Sequence, residues 1–428
     1  MLGLSPRRVI ITEDAWERAD CRDVIDRLLA KIDLDGSPEI VDDERLSQLP
    51  DAYGWSAFGR WGHTPWDKRR DPDVVLTTAK FHDEQERKAR LDRYPGLEHM
   101  DLGGYKSFWF RPDGEPWWRE EHKGVVCQSA WQLHSATGCP FRCDYCWFGA
   151  VCRLFVNLDE YCSHLDEWVA QAGAQRLFKW DNQTDVLCFE PEWGHTRMLV
   201  EYFARKPDKY LQIYAGKSDN VDDLLDMDHR GKTIIQWSVG TRVQCEQMEQ
   251  RTATMAERIE SVRKCQQAGY IVRYRFSPMI PVANWREGYT ELIEAIFAKT
   301  RPDIITLCAF GWMNHETART CLRWNLLDPQ IAEAMQATSP FVEERGVTAG
   351  GGHPIPFDAR RVMFRHCIDE IRRVSPDTHV ALCLEMPEMW AVFGDELNGR
   401  PGAYVCNCGP HCTPGHPMYD KLVKRVGA

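Results

Sequence analysis

The 428-residue chain has no run approaching the ~18 consecutive apolar residues that a membrane-spanning helix needs, which argues against an integral helical membrane protein. Basic residues are in deficit, 53 Lys and Arg against 64 Asp and Glu. A formal charge of −11 disfavours a protein whose main task is coating duplex DNA, although a small basic groove is compatible with it. Internal repeats and low-complexity tracts are absent, and 43% hydrophobic with 27% charged residues excludes wholesale disorder. Met1–Thr12 lacks the long apolar core and small-residue cleavage site of a secretion signal, so a cytoplasmic location is expected.

Cysteine, by contrast, is plentiful. There are 17, an odd number in a chain with no secretion signal, which does not read as a disulfide framework. Six fall in two clusters, Cys139, Cys143, Cys146 and Cys406, Cys408, Cys412, as expected of metal ligands. Cys21, Cys265, Cys308, Cys321 and Cys367 lie in apolar or helical stretches and read as small buried hydrophobes.

Periodicity divides the chain into three parts. Residues 1–120 open with a β-α-β unit, strand Val9–Thr12, helix Asp20–Ile32 and strand Pro38–Val41, then turn Trp-, Gly- and charge-rich. Trp55, Trp61, Trp66, Trp109, Trp117 and Trp118 read as core caps, with stacking on a substrate as the alternative. Residues 121–313 alternate six strand candidates (Val125–Leu133, Leu177–Trp180, Tyr210–Ala215, Thr233–Val239, Tyr270–Phe276, Asp303–Phe310) with helical stretches at Leu158–Ala172, Thr196–Arg205, Asp219–Met227, Met255–Ala268 and Trp285–Lys299. Asn157-x-x-Glu160 has the pattern of a capping box. This alternation predicts an α/β protein with a parallel sheet, either an open barrel or doubly wound, and chemistry at the C-terminal strand ends. Residues 314–428 read as a helical extension with a loop at Gly346–Pro354, a last strand His379–Leu384 and a Cys-rich tail.

Gly138-Cys139-Pro-Phe-Arg-Cys143-Asp-Tyr-Cys146 follows the first of these six strands. Thiolates spaced C-x3-C-x2-C can wrap one iron–sulfur cubane, and three ligands leave one iron open for chemistry. A zinc ion completed by Cys152 or His134 is the alternative. The triad, with Tyr145 before its third cysteine, resembles the cluster motif of the radical S-adenosylmethionine (AdoMet) superfamily. That resemblance implies a partial (β/α)6 barrel, a [4Fe–4S] cluster, AdoMet bound at the open iron, and a 5′-deoxyadenosyl radical that abstracts a substrate hydrogen. It also places Tyr145 against the adenine.

Further stretches resemble the spore photoproduct lyase family: Tyr210–Leu225 with its Val-Asp-Asp-Leu-Leu ending, Gly231–Ser238, Pro278–Pro281, Trp285–Tyr289 and, in the N-terminal part, Arg8–Leu29. The resemblance implies that Lys217 and Ser238 contact the cofactor carboxylate or ribose. The family carries a hydrogen-donating cysteine after the second barrel strand, where this chain has Asn182 within Trp180–Asp185. Cys188, six residues on, is the candidate to replace it. Asp181 or Asp185 is expected to hold the cofactor amino group or a polar substrate, with an Asx turn as the plain alternative.

Cys406, Cys408 and Cys412, joined by Cys383 at the end of the last strand, are expected to hold metal: an auxiliary [4Fe–4S] cluster, or zinc with His411 and His416 as further ligands. The leading expectation is a radical AdoMet enzyme acting on a nucleobase, nucleotide or small metabolite, with an electron donor such as flavodoxin or ferredoxin. The alternatives are repair of a DNA lesion as in spore photoproduct lyase, a non-catalytic metal-containing nucleic-acid-binding protein using the Trp-rich segment with Lys68-Arg69-Arg70, and an electron-transfer protein.

Overall fold

Strands buried on both faces are near-continuous apolar runs, and Thr233–Val239, buried at every position, is one of them. The computed structural model describes residues 3–55, 65–111, 126–146, 148–311, 315–337 and 354–424. In chain order the strands are β1 (Val9–Thr12), β2 (Glu39–Val41), β3 (Asp73–Thr77), β4 (Phe108–Arg111), β5 (Ala130–Leu133), β6 (Ala136–Thr137), β7 (Arg142–Cys143), β8 (Val151–Phe155), β9 (Leu177–Trp180), β10 (Tyr210–Gly216), β11 (Thr233–Val239), β12 (Glu249–Gln250), β13 (Ile271–Met279), β14 (Ile304–Ala309) and β15 (His379–Leu382).

The main sheet runs β4-β5-β9-β10-β11-β13-β14-β15. β5 through β15 in this order are parallel, and only β4 is antiparallel. All six expected strands are therefore present in a mixed α/β fold with a parallel core. The last strand of the C-terminal part adds a seventh parallel member. An isolated bridge, Val126 N–H to Glu385 O at 2.8 Å, links the segment before β5 to the segment after β15 and draws the two sides of the sheet together. The second sheet, β2-β1-β3-β8-β6, is built from the N-terminal strands, yet it recruits β8 and β6 from either side of the cysteine triad. β8 and β15 thus pair across the boundaries expected at 120/121 and 313/314.

Helices cover the sheet through apolar stripes. Trp285–Lys299 buries Trp285, Tyr289, Leu292, Ile293 and Ile296, an i, i+4, i+7 face, and packs on helix Phe357–Val374. Thr254 caps helix Met255–Gln267 reciprocally with Glu257. Three expectations change. Leu158–Ala172 is two short helices, Leu158–Ser163 and Leu165–Gln171, broken at His164. Asn157 is not a capping-box residue: its amide is occupied by both backbone groups of Ala79, a long-range pairing that outcompetes the cap. Asp219–Met227 contains only the single turn Asp222–Leu224, because Asn220 is drawn to the carbonyls of Leu187 and Glu190. The loop expected at Gly346–Pro354 lies outside the described residues except for Pro354. No helix among the described residues is long and apolar enough to cross a membrane.

His195 opens helix His195–Ala204 among Tyr161, Trp180 and Trp193, with ring centroids 4.9–5.3 Å away. Among the described residues neither ring nitrogen has a hydrogen-bond partner, and burial pushes its pKa down to about 3. The unfolded chain takes up this proton near pH 6.5 and the folded one does not, so stability is lost as pH falls through that window. One proton's linkage is about 1.4 kcal/mol per pH unit. His195→Phe is expected to flatten the fall in unfolding free energy between pH 6 and 4 by roughly that slope, read from urea titrations at each pH.

Candidate active site

The triad loop begins at a constraint. Gly138 has φ of +88°, and a Cβ there would overlap the carbonyl oxygen of Val151 in β8. Its N–H bonds Gln183 O at 3.1 Å, tying the loop to the segment after β9. Further on, β7 pairs antiparallel with β12, setting Cys143 opposite Glu249. Arg69 donates to the carbonyls of Asp144 and Cys146 at 3.1 and 2.9 Å, and Arg323 grips the Asp144 carboxylate at 2.8 Å. The Arg69 of the basic run is thus a brace for the triad.

Cys139, Cys143 and Cys146 all line one cavity of about 680 Å³ at the C-terminal end of the main sheet. Every cysteine in the chain is free. Burial pushes the Cys139 and Cys143 thiols up, with Lys217 working the other way at Cys143. Tyr145, Lys217 and Ser238 line the same cavity, as does Asp185. Gly216, at φ +60°, lets the Asp185 carboxylate accept from the N–H groups of Lys217 and Ser218 at 2.5 and 2.9 Å. Its other oxygen, Oδ1, has no hydrogen-bond partner among the described residues, and burial pushes the carboxyl up to about 7. The three thiols of one loop, beside an ammonium, a hydroxyl and a carboxylate oxygen with no hydrogen-bond partner among the described residues, fit a cluster with a zwitterionic ligand at its open iron. Among the described residues, no three His, Cys, Asp or Glu side chains meet at the spacing of a single metal ion.

Asp181 takes up the Asx turn that was the plain alternative, its Oδ1 accepting from the N–H two residues on. It does not line the cavity; fully buried, it accepts from Ser135 and Gln183 N–H at 3.1 and 3.0 Å and meets His134 Nδ1 at 2.6 Å. Burial pushes its carboxyl up, but His134 and these donors outweigh that and hold it below the usual range. Its effect on the cavity runs through His134, a wall residue whose Nε2 has no hydrogen-bond partner among the described residues. Cys188 also lies off the cavity: it is buried in the turn Val186–Phe189, with its thiol donating to Asp185 O at 2.7 Å. Asn182, by contrast, is on the wall.

A buried charge network underlies the triad and was not visible in the sequence. Arg258, fully buried, pairs with Glu249 at 2.6 Å and donates to Ser238 O at 3.2 Å and Ala253 O at 2.8 Å. Tyr145 donates its hydroxyl to Glu249, and Lys217 stands 3.9 Å from the same carboxylate. Burial pushes Glu249 up, and Lys217 with Arg258 more than offset it. Only the pairing of β7 with β12, 106 residues apart in sequence (249 − 143), brings these groups together.

The C-terminal cysteines divide. Cys383 and Cys408 line the cavity with Cys127, which sequence reasoning did not single out, whereas Cys406 and Cys412 sit behind, 3.8 Å from each other and both against Gln128 Oε1. His411 and His416 face one another at 4.8 Å, away from the cavity. The Cys383 thiol is pulled down to about 6, first by the Cys308 thiol and then by Arg275. Tyr105, Phe108, Trp109 and Phe141 supply aromatic wall, and Arg87, Arg111, Lys179 and Arg275 supply positive charge. Trp55 is core, bonded to Asp73 at 2.8 Å, and Trp66 is exposed; Trp61, Trp117 and Trp118 lie outside the described residues.

A thiol triad held over the C-terminal end of a parallel α/β sheet is compatible with more than one kind of metal chemistry. Comparison with known proteins narrows this. A family model described as spore photoproduct lyase matches residues 127–325. Spore photoproduct lyase of Bacillus subtilis is 25% identical over 195 residues, 44% of this chain and 57% of the relative; that of Clostridium acetobutylicum is 26% identical over 172 residues, 38% and 51%. The chain thus matches little more than half the length of these relatives. A solved cysteine-to-serine variant of spore photoproduct lyase shares the fold at a TM-score of 0.58 and 14% identity, covering 89% of this chain and 99% of that one. A double variant with bound AdoMet and dinucleoside spore photoproduct gives 0.55 and 15%, covering 89% and 98%. Residues 127–325, a little under half of the chain, are thus similar to spore photoproduct lyase, and the solved structures share the fold.

Removing one partner of a buried ion pair leaves an uncompensated charge, at a cost of about 3–5 kcal/mol. Arg258→Leu is expected to lower unfolding free energy by about that amount, measured by urea titration, whereas Arg258→Leu combined with Glu249→Leu recovers part of the loss.

Proposed function

We propose that this chain is a radical AdoMet enzyme that abstracts a hydrogen atom from a nucleobase-containing substrate. The observation that carries the reading is the convergence of Cys139, Cys143, Cys146, Lys217, Ser238 and Asp185 on one cavity. When bound, a [4Fe–4S] cluster and AdoMet supply the one-electron chemistry that generates the hydrogen-abstracting radical. The chain's own residues bind and orient. Cys139, Cys143 and Cys146 hold the cluster. Lys217 presents an ammonium to the methionine carboxylate and Asp185 Oδ1 an acceptor to its amino group. Ser238, steadied through its carbonyl by Arg258, faces the ribose. Tyr145, fixed through its hydroxyl by Glu249, stands at the adenine.

The substrate class is supported by the walls. Trp109 and Phe108 offer faces on which a base can stack, and Arg87, Arg111 and Lys179 complement a phosphate. His134 Nε2, with Nδ1 engaged by Asp181, is left as an acceptor for a substrate N–H or O–H. Repair of a lesion in DNA is the second reading, favoured by the matched relatives and by the lesion-bound solved structure. An external one-electron donor such as flavodoxin or ferredoxin completes the scheme.

Anaerobic incubation of the reconstituted protein with dithionite and AdoMet is expected to release 5′-deoxyadenosine, and Cys143→Ala to release none. Lys217→Met is expected to keep the cluster absorbance while weakening AdoMet binding by about tenfold, one lost charge-assisted contact. Release that survives in Cys143→Ala would remove the reading.

A further inference from the structure

We propose that Cys127, Cys383 and Cys408 form a second metal site, an iron–sulfur cluster on the far wall of the same cavity, with an open coordination position toward the substrate. The inference rests on the reading of the cavity as a substrate site, and its ligand set differs from the one the sequence suggests.

The three thiols come from separate parts of the chain and are brought together by distinct devices. Cys127 follows Val126 and Cys383 precedes Glu385 by two residues, and the Val126–Glu385 backbone bridge sets these segments side by side. Cys408 arrives on the C-terminal tail. Its neighbour Asn407 is anchored inside the main sheet, accepting from Gln212 of β10 and Arg273 of β13 at 2.7 and 2.8 Å and donating to Thr306 of β14 at 2.6 Å. Arg111 of β4 joins the set, donating to Gln128 O at 2.7 Å and reaching Cys408 Sγ at 3.8 Å, and it interacts electrostatically with all three thiols. All three line the cavity that Cys139, Cys143 and Cys146 also line.

Charge supports soft anionic ligation there. Arg275 is directed at sulfur, 3.0 Å from Cys308 Sγ and 3.3 Å from Cys383 Sγ. Lys179 is almost wholly buried, rests over the Tyr214 ring at 4.3 Å and has no carboxylate partner among the described residues. Buried cations need anions, and thiolates with inorganic sulfide meet that need, N–H donors to the sulfurs being a standard means of holding such clusters. Cys406 is within hydrogen-bonding reach of Cys408, but it and Cys412, 3.8 Å apart, do not line the cavity, so a closed four-thiolate zinc site fits less well than a cluster on the wall. Three wall thiols leave one position free, on the side where a substrate's nitrogen, oxygen or sulfur donor would lie.

The test uses the full chain with Cys139→Ala, Cys143→Ala and Cys146→Ala combined, reconstituted anaerobically with iron and sulfide. Retention of roughly half the wild-type iron and acid-labile sulfide is expected. Adding Cys408→Ala should abolish the remainder, whereas adding Cys406→Ala with Cys412→Ala should leave it. If the triple variant does not fold, as judged by circular dichroism, Cys127→Ala and Cys383→Ala in the otherwise intact chain are each expected to lose about half the iron. A folded triple variant holding no iron and sulfide, or zinc without sulfide, overturns the proposal. So does loss of the remaining cluster with Cys406 and Cys412 rather than with Cys408. Equal iron in the wild type and the triple variant would instead sink the assignment of the first site and leave the second standing.

Discussion

The pairing of Arg258 with Glu249 in the interior is the contact on which the geometry of the cavity depends. Two opposite charges withdrawn from water are tolerated when each is well engaged, and here Arg258 stands 2.6 Å from Glu249 Oε2 while Glu249 Oε1 takes further donors. Arg258 uses its remaining donors on the carbonyls of Ser238 and Ala253 and on Thr252, and Glu249 takes the Tyr145 hydroxyl and the Gln244 amide. One pair thus joins helix Met255–Gln267, the end of β11 and the loop that carries Cys143.

The same loop is shared between two sheets. β5 enters it from the main sheet and β8 leaves it into the N-terminal one, so the thiols sit at the seam between them. Gly138 makes the seam close enough, since only a residue without Cβ fits against Val151 there. Asp71, from the N-terminal part, accepts from Arg142 at 2.5 Å and from Arg251, closing the seam from the other side. A cavity built this way has one wall of thiols and cofactor-sized polar groups. Its other wall is aromatic and cationic, and the C-terminal tail completes it. The tail's hydrogen bonds to β10, β13 and β14 make it part of the sheet's interior lining rather than an appendage.

Legibility of this arrangement in the sequence followed the range of the interaction. The triad, its spacing and the residues after β10 and at the end of β11 are local patterns, and Lys217 and Ser238 came from the family resemblance that such patterns carry. The six parallel strands were readable for the same reason. Asp181 and Cys188 show where this stops. Both lie within a few residues of the right strand end, yet one turns inward to His134 and the other to a backbone carbonyl, and no spacing rule distinguishes inward from outward in an irregular segment. Asn157 was misread as a cap because its real partner, Ala79, is 78 residues away. Cys127 carried no signal, being single and next to residues that lie outside any repeat.

What the sequence determined by itself was the chemistry available and the order of elements: soft thiolates at a fixed spacing, alternating apolar strands and amphipathic helices, and a second cysteine cluster near the end. Tertiary structure alone decided which of those groups share a cavity. It placed Glu249 against Cys143, Arg258 against Ser238, and Cys127 beside Cys383 and Cys408, while leaving Cys406 and Cys412 behind the cavity wall. The physical reason is that ligand spacing and periodicity are properties of neighbouring residues, whereas burial and charge compensation are settled only when distant strands pair and exclude water between them.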